Sequence, residues 1–197
     1  MSSSEPVAVT RRPGGRTAEV TQRVHQAIID LLIEEGVQGC TFTAVAERAG
    51  IERSTLYRRF PDRWEAIIDA LIAVAEKEVM PDLGGSFAHD LRSVLIRLRD
   101  TLQTALGPAV LAVGLELRSG RADHYPRAYF DRRMAQLAPM FDAAIARGEL
   151  APDVDREVLI AFAAGPIYFR TFIASHSVDD TFIDTAVANV CRLYCLQ

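Results

Sequence analysis

The chain has no run of apolar residues long enough to cross a membrane. Its longest, Val158 to Phe169, is about 12 residues, against the roughly 18 to 20 that a bilayer requires. The first residues, MSSSEPVAVTRRPGGR, hold no apolar core of a secretory signal, so a cytoplasmic protein is expected. Cysteine is scarce: Cys40, Cys191 and Cys195 are too few for a disulfide framework. No histidine or third cysteine accompanies Cys191 and Cys195, so all three read as reduced, packed thiols and no metal is expected. Period-two alternation is missing over any useful length, and no segment repeats, which points away from a sheet. Signatures of catalysis are missing too. None of His25, His89, His124 and His176 follows a Glu by three residues, and there is no P-loop, G-x-S-x-G or Cys-x-x-Cys. An all-α enzyme is therefore the weaker reading, and no cofactor is expected.

What is present is a chain of 197 residues, 49% apolar, enough for a real core in one domain or two small ones. A net charge of −4 argues against a uniformly basic nucleic-acid coat, but the charge is unevenly placed. Residues 1–65 carry nine arginines (Arg11, Arg12, Arg16, Arg23, Arg48, Arg53, Arg58, Arg59 and Arg63) against nine acids, and residues 66–197 carry thirteen basic residues against seventeen acids. A neutral end with a local arginine cluster on an acidic body fits docking to a polyanion by that end alone.

The stretch Thr41 to Ile68, TFTAVAERAGIERSTLYRRFPDRWEAII, reads as a helix-turn-helix. Val45, Ala46 and Ala49 lie on a short helix that runs into Gly50, which can take the left-handed conformation of a sharp turn. A second helix follows from Arg53 to Phe60. At about 100° per residue it turns Leu56 and Phe60 to one side and Ser54, Thr55 and Arg58 to the other, with Tyr57 and Arg59 on the flanks. The outward face has neither aliphatic residues nor acids, a composition suited to an acidic, hydrogen-bonding surface. Eight residues span roughly 12 Å, about the width of the DNA major groove. Ser54, Thr55 and Arg58, with Arg53 beside them, are expected on base edges; Tyr57, Arg59, Arg63 and Thr43 are expected on phosphates.

At these residues the sequence resembles the DNA-binding domain of the TetR/AcrR family of bacterial transcriptional regulators, whose motif runs through an AxxAG turn and a TLYxxF recognition helix into a capped fourth helix. It departs at Arg63, where the family more often has lysine. The segment RGELAPDVD-x-E followed by AAGPIYFR, from Arg147 to Arg170, is similar to the C-terminal ligand-binding domain of one branch of that family. The resemblance implies a homodimer formed by the last two helices. Phe182, Ile183, Ala186, Val187, Val190, Leu193 and Tyr194 make the last helix broadly apolar, which fits.

The remaining expectations concern layout. Residues 1–16 read as a disordered arm whose arginines either reach a minor groove or merely solubilise. A helix-turn-helix domain over 17–65 precedes a ligand-binding and dimerisation part over 66–197. The first helix is capped by Thr17, with His25 on its surface or rim, and Asp62-x-x-Glu65 reads as a capping box opening the fourth helix. Pro81-Asp82-Leu83-Gly84-Gly85-Ser86 is the clearest break. Five helices follow it, for about nine in an all-α fold, with bends at Pro139 and Gly165-Pro166. Leu98, Leu102, Leu115, Phe130, Met134, Phe162, Tyr168 and Phe172 are expected to line an apolar pocket with Tyr168 or His124 as polar handles, hence an uncharged or weakly polar effector. The function expected is a homodimeric repressor that binds a palindromic double-stranded operator and is released by a small, mostly apolar molecule. The alternative is a helix-turn-helix dimer without a ligand.

Overall fold

The computed structural model describes residues 13–80, 83–119 and 124–196, which form helices and no strand. The first part comprises α1 (Pro13–Glu34), the single turn α2 (Gly36–Gly39), α3 (Phe42–Ala49), α4 (Arg53–Arg59) and α5 (Arg63–Glu78). Then come α6 (Phe87–Leu102), α7 (Leu106–Ser119), α8 (His124–Ala146), α9 (Arg156–Tyr168) continued by a π-helical turn (Phe169–Ile173), and α10 (Asp180–Tyr194). The nine helices read from the periodicity are all there. The extra turn, α2, is anchored by the buried Val37.

Helix α1 starts at Pro13, four residues before the expected Thr17 cap, because proline is pre-set for a first helical position where no intrahelical N–H bond is needed. The arm expected over 1–16 thus overlaps its first turn, and Arg11 and Arg12 lie outside the described residues. Side-chain caps fix the starts of α3, α5, α6, α9 and α10: Thr41 accepts from the Ala44 N–H, Asp62 from Trp64 and Glu65, Ser86 from His89, Asp155 from Val158 and Asp179 from Phe182. Pro139 lies inside α8 without breaking it. Beyond Pro166 the α pattern gives way to the π turn, in which Ala174 N–H reaches the Phe169 carbonyl at 2.9 Å.

Two cores hold the molecule together. The first gathers Val24, Ile28 and Leu31 of α1, Val45 and Ala49 of α3, Leu56 of α4 and Ile67, Ile68 and Leu71 of α5. Helix α7 adds Leu106, Ala109, Val113 and Leu117 to it. The second gathers α6, α8, α9 and α10 around Leu91, Leu95, Phe141, Leu159, Ile167 and Ile183. Asp90 is its one fully buried charge among the described residues. It accepts from the Gly85 N–H and faces Arg147, both at 3.4 Å, while Glu149 binds Arg147 at 2.9 Å and the Phe87 N–H at 2.7 Å. This cluster pins the start of α6 to the end of α8, and the Arg147 hydrogen bond holds the Glu149 carboxyl below its usual range.

Candidate nucleic-acid interface and effector cavity

Gly50 stands at φ +63° and ψ 46°. Its N–H bonds the Glu47 carbonyl at 3.2 Å and the Ile51 N–H bonds that of Ala46 at 3.0 Å, the double closure of a left-handed helix end. Arg23 Nη1 donates to the Ala49 carbonyl at 3.1 Å and helps close the same end. Across the turn, α4 buries Leu56, and Phe60 at its end, and leaves Arg53, Ser54, Tyr57, Arg58 and Arg59 exposed, with Thr55 half-buried at the edge. The Tyr57 ring meets Phe42 edge-on at 5.0 Å, and its hydroxyl accepts from Arg53 Nη2 at 3.2 Å. Arg63 lies 4.8 Å over the Trp64 ring, and Thr43 is exposed in the first turn of α3. The structure therefore brings all eight predicted DNA-facing residues to one end. No ion pair forms at Arg53, Arg58, Arg59 or Arg63 among the described residues, whereas Arg48, on α3, holds Glu34 at 2.7 Å. These guanidinium groups and the hydroxyls between them give this end donors suited to phosphates and base edges, although Arg59 also lies near enough to Asp69 to lower its carboxyl. Arg59 donates to the Thr21 hydroxyl of α1, a partner that nothing in its local sequence signals.

Between α5, α6, α7, α8 and α9 lies a cavity of about 430 Å³. Leu98, Leu102, Phe130, Met134 and Tyr168 line it as expected from sequence. Leu115, Phe162 and Phe172 do not. Helix α7 turns Ala109, Val113 and Leu117 to the first core, and Leu115 is on the opposite side, 61% exposed. On α9, Leu159, Ala163 and Ile167 face the second core and Ile160, Ala164 and Tyr168 face the cavity, which leaves Phe162 outside, against Tyr194 at 6.3 Å between ring centres. Phe172 sits in the π turn against Tyr168. The side chain of His124 lies outside the described residues. Sequence reasoning missed Arg133, Tyr129 and Thr101 in the wall, and the contribution of Leu71, Val74 and Ala75 from α5 and of Val79 at its C-terminal cap. A cation one turn after a tyrosine, amid Phe130 and Met134, was the available signal.

One face of α8 grips α5. Arg132 binds Glu65 and lies 3.8 Å from Asp69, and Gln136 Nε2 donates to the Ile72 carbonyl at 3.2 Å. The Asp62 cap of α5 is present as expected, and the Glu65 side chain is held by Arg132. From the other side, His25 Nε2 donates to Asp69 at 2.9 Å, so His25, half-buried at the rim, also bridges α1 to α5. That bond holds the Asp69 carboxyl below its usual range.

The outer face of the last helices also differs from expectation. Ile183, Ala186, Val187 and Val190 of α10 are buried in the chain's own core. The exposed apolar residues are Val158, Phe162, Phe169 and Ile173 on α9 and its π turn, joined by Leu193 and Leu196, with Ile173 71% exposed.

Residues 26–71 match the family model described as bacterial regulatory proteins, tetR family, and residues 80–190 match the tetracyclin repressor-like C-terminal domain. The HTH-type transcriptional regulator YdeS of Bacillus subtilis is 29% identical over 172 residues, covering 84% of this chain and 86% of its own. The DNA-binding transcriptional repressor TetR of Mycobacteroides abscessus is 29% identical over 168 residues, 82% and 86% of the two chains. Among solved structures, the TetR family transcription regulator SCO0332 superposes with a TM-score of 0.71 at 30% identity, covering 88% of this chain and 97% of that one. The flavonoid-responsive regulator FrrA shares the fold with a TM-score of 0.61 at 18% identity, over 89% and 95%.

Proposed function

This chain belongs to the TetR family of bacterial transcriptional regulators, a DNA-binding and non-enzymatic class, and on that premise we propose that it is a homodimeric repressor released from a palindromic operator by a small molecule with a mostly apolar body. The observation that carries the reading is the double use of α5: its first turn adjoins the recognition helix α4, and Leu71, Val74 and Ala75 farther along it wall the cavity. A molecule filling the cavity must push on the helix that positions Arg53 to Phe60. Release then follows if that molecule binds better when α5 has swung and α4 is out of groove register. The flavonoid response in the name of FrrA and the repressor role in that of the Mycobacteroides relative support the same reading.

The dimer surface proposed is the exposed stripe Val158, Phe162, Phe169 and Ile173 with Leu193 of α10, large apolar side chains that a monomer leaves in water. A cytoplasmic location goes with the role, and no described helix is long and apolar enough to cross a membrane. Selection of bound duplexes from a random pool tests the proposal. The expected site is two inverted half-sites centred one helical turn apart, about 34 to 36 Å. Recovery of a single asymmetric half-site would refute the symmetric dimer.

A further inference from the structure

The cavity wall is apolar except for Thr101 of α6, Arg133 of α8 with Tyr129 one turn before it, and Tyr168 of α9. Among the described residues the guanidinium has one hydrogen-bond partner, the neutral amide oxygen of Gln136, for its five donors. No carboxylate pairs with it. The contrast within the same helix is direct: Arg127 and Arg132 each hold an acid. A half-buried cation without a counter-ion is costly, and burial draws Arg133 below its ordinary value. Burial also pushes both phenols up, Tyr168 to about 12, so they remain protonated and able to donate.

We infer that the effector is an amphipathic organic anion whose carboxylate or equivalent oxyanion is held by Arg133, with the Tyr129 and Tyr168 hydroxyls as further donors, and whose apolar body fills the space beneath. This rests on the effector reading above and replaces the uncharged ligand expected from composition. A volume of about 430 Å³ corresponds to about 14 waters, which sets the size of the body at a medium-length chain or one to two rings.

Calorimetric titration of the full-length protein with decanoate and with decanol at neutral pH isolates the head group. Decanoate should bind about ten- to a hundredfold more tightly than decanol, the range for charge-assisted hydrogen bonds. Arg133→Gln should bring the two ligands to parity, with helical circular dichroism and a wild-type melting midpoint showing that the variant is folded. Arg133→Lys should keep part of the preference. Equal binding of both compounds to the wild type would overturn the anion site and leave an apolar cavity. Binding of neither would overturn it together with the effector reading. Tight decanoate binding with operator affinity unaltered would remove induction alone and keep the anion site.

Discussion

Gly50 has φ +63°, and a Cβ built on it would come no nearer than 3.7 Å to Arg23 Nη1. Space is available, so the whole cost of Gly50→Ala is the left-handed backbone, about 1 to 2 kcal/mol. Urea unfolding should show that loss with an unchanged slope. Arg58 stands exposed on α4 with no ion pair to break, so Arg58→Ala should leave stability alone and weaken operator binding by about 1 to 3 kcal/mol, relaxing one position of the site. Gel-shift titrations against single-base variants check it; unchanged site preference would place the base-reading face elsewhere. Asp69 adds a pH dependence. Its native value is depressed, chiefly by the His25 hydrogen bond, so its stabilisation is complete above the unfolded value near pH ~4 and is lost as pH falls through the native value. The stability gap between wild type and Asp69→Asn, read from urea midpoints, should be widest above about pH 4 and close below it.

At the scale of elements, α5 meets α8 through Glu65, Asp69 and Ile72, one turn apart on one face, and α8 answers with Arg132 and Gln136, also one turn apart. Gln136 touches both Arg133 and Ile72, so an occupant that draws Arg133 away changes the neighbour of the bond that ties α8 to α5. Gln136→Ala should therefore reduce the ratio of operator affinities without and with effector, more than it reduces either affinity alone. Calorimetry on the four species of that cycle measures it. Helices and the turn at Gly50 were legible because period, caps and glycine act over a few residues. The partners of Glu65 and His25 were not, since they lie 67 and 44 positions away and local sequence carries no trace of them. The same limit explains the last helix: its apolar width was legible, but Val187 being spent on the chain's own core was not. A charge for testing the proposed dimer surface thus belongs at Ile173. Ile173→Glu should sediment as a monomer with wild-type helicity, whereas a dimer surviving that charge would place the interface elsewhere.

Across the whole molecule, binding of operator and effector is expected to be reciprocal, each weakening the other by the same factor, about 5- to 150-fold for a coupling of about 1 to 3 kcal/mol. Effector titrations with and without operator read it directly, and equal affinities would rule out induction by that compound. Helix α7 gives this exchange a second footing. It supplies Leu106, Ala109, Val113 and Leu117 to the core around α1, while Leu106 and Val110 also face the cavity. The DNA-reading end consequently borrows a wall from beyond the break in the chain, and a fragment stopping after α5 would leave the sides of α1 and α2 that α7 covers open to water. Heating should melt the protein in one calorimetric transition whose midpoint rises with effector, with no separate early step for the reading head. Cut at residue 80, that head should keep helical circular dichroism yet bind a hydrophobic dye and lose sharp methyl resonances.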